Sequence, residues 1–252
     1  MDFYDRLAPL YHLIFPSWGD SVRRQGQQLD SIIQATWPGC RTVLDVSCGI
    51  GTQAFGLAAQ GYAVAGSDLS AREIERAHRE AHSRGLVIKF SVADMRELLA
   101  VHGTGHDLVI SCDNSVPHLL TDDDLLAAFR QFVACLRPGG GCLITVRDYG
   151  KEARGRNLVK PYGVHVEGGR RHVLFQVWDF DGDGECYDLS LFAVEEDLAT
   201  GQTTTQVMRS RYYAVSTTRL CELMREAGLQ DVRRLDGVFY QPVLVGTRPA
   251  PG

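Results

Sequence analysis

The stretch TVLDVSCGIGTQ, residues 42–53, runs from a β-branched and apolar segment into two glycines and on toward helix-forming residues. A strand that turns on glycines into a helix opens a βαβ unit, because a parallel partner is reached only through a crossover long enough to hold a helix. The same alternation continues downstream. AVAGSD (63–68), IKFSVAD (88–94), DLVISC (107–112) and CLITVRD (142–148) read as four more strands. Between them lie helical patterns with start and stop signals. TQAFGLAAQG stops at Gly61, SAREIERAHREAHSRG starts on Ser70 and stops at Gly85, and the helix after Thr121 opens with three acids that suit its positive end. An open parallel sheet with helices on both faces follows.

Beyond residue 150 the texture changes. Residues 170–216 hold three alternating runs separated by the turn signals DGDG and ATGQ, as in an antiparallel sheet. The chain then returns to a helix in TTRLCELMREAGL and a last strand in FYQPVLVGTR. The antiparallel segment is therefore an insertion between the fifth strand and the final helix.

At 252 residues and 44% hydrophobic content the chain buries a large core. A net charge of −5 supplies no basic face for phosphates, which argues against nucleic acid. No run of 18 apolar residues spans a membrane, and MDFYDRLAPLYHLIFP lacks the basic start and cleavage site of a signal peptide, so a cytoplasmic location is expected. The seven cysteines include no CxxC pair, and DGDG at 181–184 lacks the rest of a calcium loop. Reduced thiols, no metal and a small-molecule partner are the expectation.

Glycines at the C-terminal end of a first strand mark the ligand crevice of such sheets. Here Gly49 and Gly51 are followed by Ala54 where a dinucleotide fingerprint has its third glycine, and Asp45 lies four residues before Gly49. An acid there opposes a phosphate and suits a cationic ligand. Asp68, 17 residues after Gly51, ends the second strand near the offset at which an acid reaches a ribose. Asp94 ends the third in VADM, where an acid and an apolar neighbour fit the amine and face of an adenine. The bland alternative is that such acids cap strands and helices, Asp68 capping the helix from Ser70.

Taken together, LDVSCGIG, SDLS, VADM and LRPGG resemble the class I S-adenosylmethionine-dependent methyltransferases. The first motif departs from the family's common form at Ser47 and Ile50, where Ala and Thr are usual. The resemblance implies an α/β fold: a doubly wound, Rossmann-like seven-stranded methyltransferase sheet with a reversed last strand, here carrying an inserted antiparallel sheet segment. It implies S-adenosyl-L-methionine as cofactor, held by Asp45, Gly49, Gly51, Asp68, Leu69, Asp94, Met95 and Cys112. The organisation expected is a helical lid over residues 1–40, a cofactor core over 41–150, a substrate-side insertion over 151–215, and completion of the core over 216–252.

The fourth strand runs into CDNSVPHL rather than the (D/N)PP(Y/F) of enzymes that methylate nucleic-acid bases. This stretch is similar to the C-x-x-N-S-x-x-H-L of glycine and sarcosine N-methyltransferases, and the likeness continues in RPGG, Arg147 to Tyr149, Tyr212–Tyr213 and Phe239–Tyr240. It implies that Asn114 and Arg147 bind the carboxylate of a small amino acid, with Arg23 a second contact and Tyr11, Tyr212 and Tyr213 around the reacting amine. A guanidinium fork and an amide donor suit a carboxylate. Each residue has a structural alternative: Arg147 pairing with Asp148 or a helix acid, His118 packing at a helix entrance rather than serving as a catalytic base, and one of Tyr212 and Tyr213 in the core, since they alternate faces. Tyr4, Tyr11 and Trp18 read equally as an aromatic lid or as staples for a helix on the sheet. An amino sugar or other small metabolite is the alternative acceptor. A nicotinamide-dependent oxidoreductase, a non-catalytic module and a homo-oligomer stay open.

Overall fold

A computed structural model describes residues 2–250 of the protein. The N-terminal segment forms α1 (Asp2–Leu7), a 3-10 turn at Tyr11–Ile14 and α2 (Trp18–Thr36). Then β1 (Thr42–Asp45), α3 (Thr52–Ala59), β2 (Ala63–Asp68), α4 (Ala71–Ser83), β3 (Lys89–Val92), α5 (Leu98–His102), β4 (His106–Ser111), α6 (Asp122–Cys135) and β5 (Leu136–Thr145) alternate as the βαβ pattern requires. The caps are those the sequence offers. Ser70 accepts from the Glu73 N–H at the start of α4, and Thr121 from Asp124 at the start of α6.

After β5 come four long strands, β6 (Leu158–Glu167), β7 (Arg170–Phe180), β8 (Cys186–Asp197) and β9 (Thr203–Tyr213), then α7 (Thr217–Glu226), β10 (Gln230–Leu235) and β11 (Val243–Thr247). The main sheet has seven strands in the order β3-β2-β1-β4-β5-β11-β10. β1 to β5 are parallel, and β11 runs antiparallel to both neighbours. The reversed last strand implied by the resemblance is present, and so is the inserted sheet, in the order β6-β7-β8-β9.

Two expectations about the elements are corrected. The insertion has four strands, not three, because β6 carries Pro161 and Gly163 around a register shift that breaks its alternation. As an edge strand it needs no N–H from the proline on its open side. The fifth strand starts at Leu136 and ends at Thr145, so RPGG lies inside it and Arg147 and Asp148 lie in the loop beyond its end.

The second sheet is no separate body. Leu174, Trp178, Tyr187, Leu189 and Met208 from its inner face share one core cluster with Phe129, Ile144, Val146 and Tyr149 of the main domain. On the opposite side, α2 crosses α3 so closely that a Cβ added to Gly26 would stand 2.5 Å from the backbone of Gly56. Only glycine permits that approach.

Candidate active site

The turn after β1 is built on positive φ at Gly49 (51°) and Gly51 (100°). A side chain at Gly51 would strike the Phe55 ring at 2.4 Å, so this glycine serves the turn into α3 rather than a ligand. Asp68, at the end of β2, accepts the N–H groups of Gly49 and Ser70, both at 2.9 Å. It therefore ties the turn to the next strand and also lines a cavity of about 460 Å³. The cap of α4 is Ser70 itself, and Asp68 instead fixes the glycine turn and the start of the helix while lining the cavity wall.

That cavity is rich in acids. Gly49, Asp68, Leu69, Glu73, Asp94 and Met95 line it. Asp45 lies fully buried behind the turn. Its Oδ1 accepts one long bond, 3.4 Å from the Ser47 N–H, its Oδ2 has no partner, and burial lifts its carboxyl to about 7. Glu73 on α4 is 1% exposed, its Oε1 also lacks a partner, and burial raises it well above the usual carboxylate range. Asp94 is different: Arg96 grips both of its oxygens, which holds its carboxyl below the usual value. Cys112 is buried away from the cavity surface.

A second cavity, of about 690 Å³, adjoins the first and shares Phe3, Tyr4 and Tyr11 with it. Asn114 and Arg147 stand together on its wall. The Asn114 carbonyl accepts the Arg147 backbone N–H at 3.0 Å and its amide donates to the Tyr149 hydroxyl at 2.9 Å. The Arg147 guanidinium lies over the Trp178 ring, 4.6 Å from its centroid, with Glu152 loosely placed at 3.7 Å. Asp148 pairs instead with Arg234 at 2.7 Å.

Tyr212 faces this cavity, whereas Tyr213, one residue on, donates to Asp122 at 3.1 Å and lines neither cavity. The alternation along β9 separates them. Arg23 is likewise turned to solvent, paired with Asp20 at 2.7 Å, and its neighbour Arg24 reaches the cavity instead. His118 is held on both nitrogens, by Tyr4 Oη at 2.6 Å and Ser210 Oγ at 3.3 Å. Burial pushes it down to about 3, so it stays neutral.

The aromatic N-terminal segment divides between the two readings. Tyr4 and Tyr11 form the wall between the cavities, while Trp18 donates to Thr52 at 2.8 Å and packs on Phe55, stapling α2 to α3. The wall is pinned at both ends. Asp5 accepts the Ser70 hydroxyl at 2.6 Å, and His12 meets Glu167 at the tip of β6 at 3.1 Å.

Residues 43–140 match the methyltransferase domain family. A glycine/sarcosine N-methyltransferase of Parasynechococcus marenigrum is 32% identical over 201 residues, covering 76% of this chain and 68% of the relative. The chain belongs to the class I S-adenosylmethionine-dependent methyltransferases. An amino pentose methyltransferase of Micromonospora echinaspora, solved with S-adenosylmethionine bound, shares the methyltransferase's fold at a TM-score of 0.78 and 21% identity, with 95% of each chain covered. A Streptomyces venezuelae dTDP-3-amino-3,4,6-trideoxy-alpha-D-glucopyranose N,N-dimethyltransferase is 27% identical over 133 residues, 53% of this methyltransferase and 54% of the relative.

S-adenosylmethionine is the cofactor of this methyltransferase, and the smaller cavity fits it. The unpartnered oxygens of Asp45 and Glu73 are buried beside the glycine turn, and Asp68, Glu73 and Asp94 line the cavity, a set of acceptors that complements a sulfonium nucleoside bearing hydroxyls. Two residues near the cavities escaped the sequence reading. Glu73 looked like an ordinary first-turn acid of a helix, and Asp113 sat unremarked inside the quoted CDNSVPHL. Asp113 lines the larger cavity and accepts the Tyr240 hydroxyl at 2.7 Å.

Among the described residues no helix is long and apolar enough to cross a membrane, and no three metal-ligating side chains gather.

Proposed function

We propose that this methyltransferase methylates the amine of a small amino acid of the glycine or sarcosine type. The observation that carries the reading is the pairing of Asn114 and Arg147 on one wall of the cavity that adjoins the cofactor cavity. The guanidinium over Trp178 makes only long contacts, to the Tyr187 hydroxyl at 3.5 Å and Glu152 at 3.7 Å, which a carboxylate can displace. Glu152, only loosely opposed to it, yields that place when the acceptor arrives. The name of the Parasynechococcus relative agrees with this acceptor.

On this reading the ribose hydroxyls lie on Asp68, the adenine lies between Leu69 and Met95 near Asp94, and Asp45 faces the positive end through the turn at Gly49. The bound cofactor supplies a methyl carbon already activated by its sulfonium. The protein's own task is alignment, which recovers about 7–11 kcal/mol of barrier when both reactants are held in line. Tyr4, Tyr11 and Tyr212 enclose the meeting point and exclude water. Incubating purified protein with labelled methyl donor and a panel of small amino acids tests the proposal: labelled N-methyl products are expected, and a panel left unlabelled refutes it.

The size of the larger cavity, about 690 Å³, favours a second reading, since a two-carbon amino acid fills little of it. An amino sugar is the alternative, as the names of two relatives suggest. Arg147→Ala separates the two. It raises KM about a hundredfold for a carboxylate acceptor and changes it little for an acceptor without one.

A further inference from the structure

Asp113 lines the larger cavity, and the proposed reading gives it no task. It and Asn114 follow each other with positive φ, 59° and 65°. Two adjacent non-glycine residues in the left-handed region are strained, and strain of this kind gathers where a site must be shaped. Thr145, at the end of β5, pins the turn from both sides. Its Oγ1 accepts the Asp113 N–H at 2.8 Å and its carbonyl accepts the Asn114 N–H at 3.0 Å. The turn thereby presents both side chains to one cavity.

The Asp113 carboxylate takes a hydrogen bond from Tyr240 through Oδ1, and among the described residues no ion pair forms on it. Arg147 stands on the same cavity, yet its nearby carboxylate is Glu152 at 3.7 Å. Among the charged groups that line the cavity, Arg147 and Asp113 both face it and form no ion pair with each other. Burial also raises the Asp113 carboxyl, which strengthens it as a proton acceptor.

We propose that Asp113 receives the amino group of the acceptor and removes its proton, so that the cavity selects a zwitterion with its anionic end on Arg147 and its ammonium on Asp113. In that step an ammonium N–H bond breaks, its electron pair stays on nitrogen as the lone pair, and an O–H bond forms on the carboxylate. The inference rests on the amino-acid reading above and goes beyond it in naming the group that binds and deprotonates the amine.

Calorimetry on the full chain, saturated with S-adenosylhomocysteine, tests it with two ligands: sarcosine, and methoxyacetate, in which an ether oxygen replaces the amine. The wild-type protein should prefer sarcosine by about 10- to 100-fold. Asp113→Asn suits the left-handed backbone, and Asp113→Gly does so without any side chain. Both should lose the preference, binding sarcosine no better than methoxyacetate, whereas Arg147→Ala should weaken both ligands. A preference that survives in either Asp113 variant overturns the inference while leaving the Arg147 reading intact. If the wild type binds neither ligand and Arg147→Ala changes nothing, the amino-acid reading fails and this inference falls with it.

Discussion

Replacing Asp45 by asparagine removes a charge that folding buries without a counter-ion, and the consequence is measurable as a pH-dependent gain in stability. Burial lifts this carboxyl from 3.8 to about 7. Between those values the unfolded chain is already ionised while the native state still holds the proton. Raising the pH therefore favours unfolding across the window, and the native disadvantage is complete only above the raised value. The amide of the variant does not titrate and escapes this penalty. The stability gap between variant and wild type should widen by about 2–3 kcal/mol from pH 5 to pH 8 at 1.36 kcal/mol per unit. For a chain of this size that corresponds to about 5–10 °C in Tm. Asp68, whose charge adds to the raise at Asp45, stays in both proteins, so the gap reads Asp45 together with its coupling to that neighbour. Melting curves at pH 5, 6, 7 and 8 on both, without cofactor, read the gap directly. A gap that stays constant with pH would refute the reasoning. On the proposed reading, in which Asp45 faces the sulfonium through the glycine turn, the same variant should also bind S-adenosylmethionine about tenfold more weakly at pH 8.

Other perturbations follow from the geometry. Gly26→Ala gains about 1 kcal/mol of helix propensity but forces a Cβ to 2.5 Å from Gly56, so urea denaturation should show a net loss of about 1–2 kcal/mol. Gly19→Ala, in the same helix with nothing within 4 Å, should gain up to about 1 kcal/mol instead. Arg24→Ala should raise the acceptor KM several-fold, while Arg23→Ala, on the solvent side with Asp20, should leave steady-state constants as they were. Asp5→Ala removes the acceptor for the Ser70 hydroxyl and the Arg72 N–H, which should cost about 1 kcal/mol and raise the cofactor Kd measured by calorimetry.

What was legible in the sequence was local. The glycine turn, the caps at Ser70 and Thr121 and the strand ends at Asp45 and Asp68 announce themselves within a few residues, because each is set by short-range backbone geometry. The alternation rule likewise separated Tyr212 from Tyr213 without saying which faced inward. The choice between Arg23 and Arg24 is a rotation of one residue around α2, and it depends on where that helix lands, which the Gly26–Gly56 crossing decides. β6 was missed because its proline, glycine and register shift hide the alternation of an edge strand. Asp113 was hidden for a deeper reason: its conformation is imposed by Thr145, 32 residues away in sequence, and nothing in CDNSVPHL foretells two consecutive left-handed residues.

The partition made by Tyr4 and Tyr11 belongs to both compartments at once and is fastened to α4 at one end and to β6 at the other. Whatever settles on one side of it meets the same two rings as whatever settles on the other. Any change that one reactant makes in the other's affinity is returned by the same factor, as linkage requires. Because that factor is shared, substituting Tyr4 or Tyr11 should change how strongly each reactant's affinity depends on the other.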